Sequence, residues 1–258
     1  MCVVYVALAA PLRAQSIVSA LALRQPAGSV ARTAGSTIVT RMKSGTAFFV
    51  DDLGHMLTAR HVADNCLRVA VAKEGHVVAA SVVALSSELD IALLKVPKTL
   101  GLSAIFPHSV TAAGNDMMFA AAYDTLPSMT DHGDTLGNAT VVSSGSEAGY
   151  LAIESDVTFG SSGAPVLDGR GLVQGVISGR IGEVTLSIAN SATIGETSMS
   201  RLKVASDRVL AVTAARAKAF LAANGIAIVE DDRPQIDPSS SRANRAASIS
   251  ARVTCLQN

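Results

Sequence analysis

Apolar and polar positions alternate in short runs along most of the chain, the period of two that turns one face of a strand inward and the other outward. From Ser36 to Val50 (STIVTRMKSGTAFFV), β-branched and polar residues alternate before the run turns wholly apolar, which predicts strands. Asp51-Asp52-Leu53-Gly54 supplies turn residues, and His55 to Thr58 is placed to pair back as a hairpin. Leu67 to Val71, His76 to Leu85 and Ile91 to Val96 are further strand candidates. Met117 to Ala122, Ala139 to Ser143, Tyr150 to Ile153, Ala164 to Leu167 and Leu172 to Ile177 continue the pattern. So many short strands, with helical periodicity absent over most of the length, predict an all-β barrel or sandwich.

One helix stands apart. Thr213 is the expected N-cap, Ala214 to Ala223 follow with Phe220 and Leu221 as apolar anchors, and Gly225 is the expected stop. Beyond it, VEDDRPQIDPSSSRANRAAS is dominated by Pro, Asp and Ser, the composition of a linker or mobile tail. Ile249 to Cys255 is a candidate for one last strand. No internal repeat, phosphate-binding loop or dinucleotide fingerprint is present.

Composition narrows the class. Of 258 residues, 49% are hydrophobic and 16% charged, ample for a core. Lys+Arg and Asp+Glu are 21 each, so no electrostatic footprint for nucleic acid exists. Mean hydropathy is +0.38. Yet past the first residues no uncharged apolar run reaches the roughly 18 residues of a membrane helix, so no membrane insertion is expected.

Residues 1–14 (MCVVYVALAAPLRA) contain an apolar stretch, Cys2 to Leu12, of the length of a signal-peptide core. Ala14 is a small residue before the candidate cut, while the usual positive leading segment is missing. The reading is a truncated signal peptide and an exported protein; the alternative is a strand or helix packed on the core. Loss of Cys2 with the signal would leave Cys66 and Cys255. An even pair in an exported protein is a disulfide candidate, one that would tether the C-terminal tail to the N-terminal half. The alternative is two buried free thiols. No His/Cys cluster has zinc spacing, and neither metal nor cofactor is expected.

Three segments carry candidate chemistry: LTARHV with His61, ELDIALL with Asp90, and FGSSGAPV with Ser162. A serine hydroxyl is a poor nucleophile until an adjacent base takes its proton, and imidazole titrates in the right range. The base in turn needs a carboxylate to fix its tautomer and stabilise the imidazolium. Asp90 directly precedes an apolar run, so it is expected to be desolvated unless paired, with His61 as one candidate partner. Gly160 and Gly163 flank Ser162, allowing a sharp turn that aims the Gly160 and Ser162 amides at one point, an oxyanion hole. The order His61, Asp90, Ser162 is that of chymotrypsin-type enzymes. The α/β-hydrolase order and its GxSxG motif both fail, because no histidine follows Ser162 and position 164 is Ala. His55, His76, His108 and His132 sit near predicted turns and are read as solvated.

GTAFFVDDLGHMLTARHV, LDIALLKV and GSSGAPVLDGRGLVQGVISG resemble the histidine, aspartate and nucleophile segments of the chymotrypsin-like (trypsin-like) serine peptidases. The resemblance is strongest to compact bacterial members related to the Htr/Deg group, and FLAANGI resembles their C-terminal helix. It spans about Ser36 to Ile226. It implies two six-stranded antiparallel β-barrels with a C-terminal helix. The implied organisation is a signal at 1–14, a peptidase domain at 15–226, and a linker and tail at 227–258, with no PDZ module. It further implies a bacterial serine endopeptidase, periplasmic or secreted, acting on proteins or peptides through His61, Asp90 and Ser162. A weakly catalytic peptide-binding module and an esterase are the alternatives on the same fold. From the resemblance, Asp156 would lie at the base of the specificity pocket, with Ser178 and Gly179 on its wall. Three departures stand out. Ala164 replaces a glycine common after the nucleophile. Ser161 replaces the Asp that activatable digestive members pair with a freed N-terminus. No cysteine directly follows His61.

Overall fold

The computed structural model describes residues 41–109, 112–130, 138–145, 149–155, 157, 159–180, 184–189, 199–204, 208–237 and 240–258. The described residues begin with β1 (Arg41–Phe49), exposed at its start and buried from Gly45 onward. The Asp51 carboxylate accepts the N–H groups of Leu53 and His55, and Gly54 takes φ +93°, so the turn folds by local side-chain bonding. That turn sets the register of β2 (His55–Ala59) on β1, from Ala47–Thr58 to Phe49–Met56. α1 (Arg60–Ala63) follows without a break. β3 (Arg68–Lys73), β4 (His76–Ser86) and β5 (Ile91–Lys95) come next.

The second half contains β6 (Ile105–Phe106), β7 (Met117–Met118), α2 (Leu126–Thr130), β8 (Ala139–Gly145) and β9 (Tyr150–Ser155). It continues with β10 (Pro165–Leu167), β11 (Val173–Arg180), a hairpin of β12 (Val184–Ala189) and β13 (Met199–Val204), and β14 (Arg208–Thr213). α3 (Ala214–Ala223), β15 (Val229–Glu230), α4 (Arg242–Ile249) and β16 (Ser250–Gln257) complete it.

Two six-strand barrels form, as expected, with β12-β13 and β15-β6 as separate two-stranded sheets. The first is closed in the order β1-β16-β3-β4-β5-β2. The second is a six-stranded sheet, β10-β11-β14-β9-β8-β7, whose two ends meet through a reciprocal Phe119–Leu167 bridge with both bonds at 2.8 Å. Phe49, Met56, Val71, Leu94 and Val253 fill the first barrel, and Met118, Val141, Ile153, Val166 and Ile177 the second. A third cluster contains Phe48, Leu57, Leu93, Phe106, Leu126 and Val212. Fully burying each of these large side chains contributes about 1.5–3 kcal/mol.

α3 has the predicted limits. The Thr213 hydroxyl accepts from Arg216 N, Gly225 sits at φ +73°, and Ile226 N–H returns to the Leu221 carbonyl, a Schellman ending. The segment read as linker and tail, 227–258, differs from that reading. It contains α4, capped by Ser241 on Asn244 N, and β16, the sixth strand of the first barrel. α4 buries Ala243 and Ala246, side chains too small to register as an apolar stripe in sequence. Cys66 and Cys255 are disulfide-bonded, with Cα atoms 5.4 Å apart. The signal-peptide reading of residues 1–14 falls outside the described residues. No helix among the described residues is long and apolar enough to cross a membrane.

Candidate active site

His61 is the second residue of α1, a four-residue helix whose start is held by Asp90. The Asp90 carbonyl accepts Arg60 N–H at 2.8 Å, and its carboxylate Oδ1 accepts His61 N–H at 3.0 Å. The other oxygen, Oδ2, lies 2.8 Å from His61 Nδ1. One residue therefore caps the helix and grips the ring. Asp90 manages this by adopting φ +53° just before β5, a left-handed conformation that a short polar side chain tolerates.

The second barrel supports the same carboxylate. β11 carries a bulge between Ile177 and Gly179, which turns Ser178 so that its hydroxyl donates to Asp90 Oδ2 at 3.0 Å. Burial pushes the Asp90 carboxyl up, but hydrogen bonds and attraction from His61, with the Ser178 hydroxyl, outweigh it and hold the group below its ordinary value. Tyr150 on β9 donates its hydroxyl to the Glu88 carbonyl at 2.7 Å, fixing the loop two residues before Asp90. Burial, then the nearby Asp90 and Glu88 charges, push that phenol up, so it stays a neutral donor.

Ser162 sits in a turn shaped by Gly160 at φ +91° and Gly163 at φ +85°. The turn is tied to the first barrel: Thr46 N–H donates to the Ser162 carbonyl at 2.9 Å and Thr46 Oγ1 to the Gly160 carbonyl at 2.7 Å. Gly163 N–H is spent on Ile177 O and Ala164 N–H on Ser161 O. Among the described residues no acceptor takes the N–H of Gly160 or Ser162. Ala164 is fully buried in the second core, so its extra methyl is absorbed there.

His61 and Ser162 line one cavity of about 650 Å³ at the seam of the barrels. Val157, Phe159, Ile177, Gly179 and Val209 give it apolar walls. No hydrogen bond joins Ser162 Oγ to His61 Nε2, although both side chains line this cavity. Gly179 lines the cavity, the Ser178 hydroxyl is engaged by Asp90, and Asp156 lies outside the described residues. The contacts of Ser178 with Asp90 and of Tyr150 with Glu88 are not legible in the sequence: a bulge breaks the period-two pattern, and a phenol reaching a distant carbonyl leaves no local signal. His55 is also not simply solvated, since its Nδ1 meets Asp51 Oδ2. His108 is exposed and pairs with Asp232, and His132 lies outside the described residues.

Two barrels meeting at a seam that carries these segments define a chymotrypsin-like fold. Residues 45–176 match the model of the trypsin-like peptidase domain, half of the chain, and the chain belongs to that family. It is 28% identical over 233 residues to the uncharacterised protein y4bJ of Sinorhizobium fredii, covering 89% of this chain and 35% of that one. The chain thus spans about a third of that relative's length. A solved serine endoprotease from Yersinia pestis is similar in fold, with a TM-score of 0.51 at 18% identity over 70% of this chain and 57% of the other.

Proposed function

We propose that the chain is a serine endopeptidase acting on proteins or peptides through a covalent acyl-enzyme. Ser162 Oγ attacks the scissile carbonyl carbon while His61 Nε2 takes its proton. Asp90 keeps the other ring proton on Nδ1 and steadies the imidazolium as it forms. The Gly160 and Ser162 amides receive the oxygen as it becomes negative, worth about 2.7–4 kcal/mol per donor. Collapse expels the amine with the proton from His61, and water repeats the sequence on the acyl-enzyme. The observation that carries this reading is the double grip of Asp90 on His61 at a cavity that Ser162 also lines.

Labelling with a fluorophosphonate probe tests it. Wild type is expected to label, and Ser162→Ala and His61→Ala are expected not to. A folded wild type that stays unlabelled defeats the reading. The missing Ser162–His61 bond favours one second reading, a peptide-binding module, which predicts peptide capture without labelling. The disulfide supports export to an oxidising compartment, periplasmic or secreted. An intact mass of exported protein beginning near Gln15 would support the signal reading, and an unprocessed mass would end it.

A further inference from the structure

The helix that carries His61 is held at its start by Asp90 and at its end by β16, a strand that joins the barrel from far along the chain. β16 pairs with β1 from Arg41–Gln257 to Phe48–Ser250 and with β3 from Arg68–Leu256 to Ala72–Arg252. Neither α4 nor β16 lies within residues 45–176 of the family match. Its far end is fastened to the loop between α1 and β3. Gln257 Nε2 donates to the carbonyls of Asp64 at 3.3 Å and Asn65 at 3.1 Å. Leu67 N–H donates to Leu256 O at 2.7 Å. Lys43, the β1 partner of Cys255, sends its ammonium to the carbonyls of His61 and Asp64 at 3.0 and 3.1 Å. The one covalent link is the Cys66–Cys255 disulfide, which closes a separation of 189 residues. A four-residue helix has no stability of its own, so these fastenings at its end act together with Asp90 at its start to set where the imidazole stands.

We infer that β16 and its disulfide are the positioning element for His61, and that the activity of the site is switched down by thiol reduction. The inference rests on the peptidase reading above for its activity readout. Cys66 lines a surface groove of about 600 Å³, open to a small dithiol. Dithiothreitol supplies two electrons and two protons: the Cys66–Cys255 bond breaks, two thiols form, and the reagent closes to its own cyclic disulfide. The loop from Asp64 to Leu67 then keeps its hydrogen bonds and the Arg60–Asp64 ion pair, and the end of the helix is held less tightly relative to Ser162.

The test compares oxidised and dithiothreitol-reduced protein, with the Cys66→Ser/Cys255→Ser double variant and Gln257→Ala alongside. Reduction is expected to lower kcat on a short peptide ester at least tenfold with KM changed less than threefold. Far-UV circular dichroism should be unchanged, and reoxidation should restore wild type but not the double variant. Gln257→Ala, with the disulfide intact, is expected to lose about threefold in kcat. A reduced, folded protein within twofold of the oxidised kcat overturns the inference. So does global unfolding on reduction, which would make the disulfide a staple of the whole barrel. A second readout needs no turnover: the low-field proton resonance of His61 Nδ1–H, assigned by its loss in His61→Asn. It is expected to broaden away on reduction, and its persistence overturns the inference. If oxidised wild type neither labels nor turns over, the peptidase reading fails by itself, and this resonance still decides whether β16 positions the ring.

Discussion

The histidine half and the serine half of the seam are held by different physical means. His61 is fixed through side chains. Asp90 binds its ring and its backbone, Ser178 binds Asp90, and Tyr150 pins the loop before it. Ser162 is fixed through backbone shape. Two glycines take φ values of +91° and +85°, and the carbonyls of the turn hang on Thr46. The first half is therefore sensitive to protonation and to isosteric exchange of polar atoms. The second is sensitive to added volume and is indifferent to charge.

Asp90→Asn attacks the first half with almost no change in shape. An amide that turns its NH₂ toward Nδ1 holds the wrong tautomer, and in triads of this kind the loss in kcat is about 10⁴-fold. Circular dichroism should match wild type, because the carbonyl bond to Arg60 N is untouched. An Asp90→Asn rate within tenfold of wild type would falsify the wiring of this half.

Gly163→Ala attacks the second half. A Cβ there would stand 2.2 Å from Thr46 O, 2.4 Å from Thr58 Oγ1 and 2.7 Å from Ala59 N, two of them backbone atoms that cannot give way. With the left-handed φ, the expected loss of stability is about 2–5 kcal/mol. Gly160→Ala is the control. Its Cβ meets only Ala122 Cβ at 3.7 Å, so the φ of +91° alone costs about 1–2 kcal/mol. Urea denaturation of both variants separates the terms, and equal losses would refute the steric account.

This division also explains what the sequence disclosed. That His61, Asp90 and Ser162 gather at the seam is legible because each sits in a short local segment of the residue types that acyl-transfer chemistry would need. The two barrels are legible from period-two patterning and turn residues such as Asp51 and Gly54. The Ser178–Asp90 bond is not legible, because a bulge, invisible to a periodic pattern, turns the Ser178 hydroxyl to Asp90. The strand at Ser250–Gln257 shows as a strand, but its place between β1 and β3 does not, since pairing over such a separation leaves no local trace beyond two cysteines.

Ser178→Ala sharpens the comparison at smaller scale. It removes one bond to a charged carboxylate and leaves the backbone of β11 alone. Bonds to charged groups contribute about 1.5–3 kcal/mol, so a fall in kcat of roughly ten- to a hundredfold is expected, with KM little changed. Ser178→Thr keeps the hydroxyl and should recover most of the rate. A Ser178→Ala variant of wild-type kcat would show that His61 alone orders Asp90.

The smallest effect lies in the acid limb of stability. The folded Asp90 carboxyl is held below its unfolded value, because bonds and attraction from His61 and the Ser178 hydroxyl outweigh the burial that pushes it up. A depressed carboxyl adds stability that is present above the unfolded value of about 3.9 and disappears as pH falls through the lower folded value. The stability gap between wild type and Asp90→Asn should therefore narrow as pH falls below about 4. Asp90 is partly exposed, so solvent screening keeps the narrowing under about 1 kcal/mol. Gly163→Ala changes no charge near the seam, and its gap from wild type should not move over the same range. Urea titrations at pH 7, 5 and 3 on the three proteins measure both gaps. An Asp90→Asn gap that widens between pH 5 and pH 3 would mean that the carboxylate is a burden to the fold, tolerated only for the ring it holds.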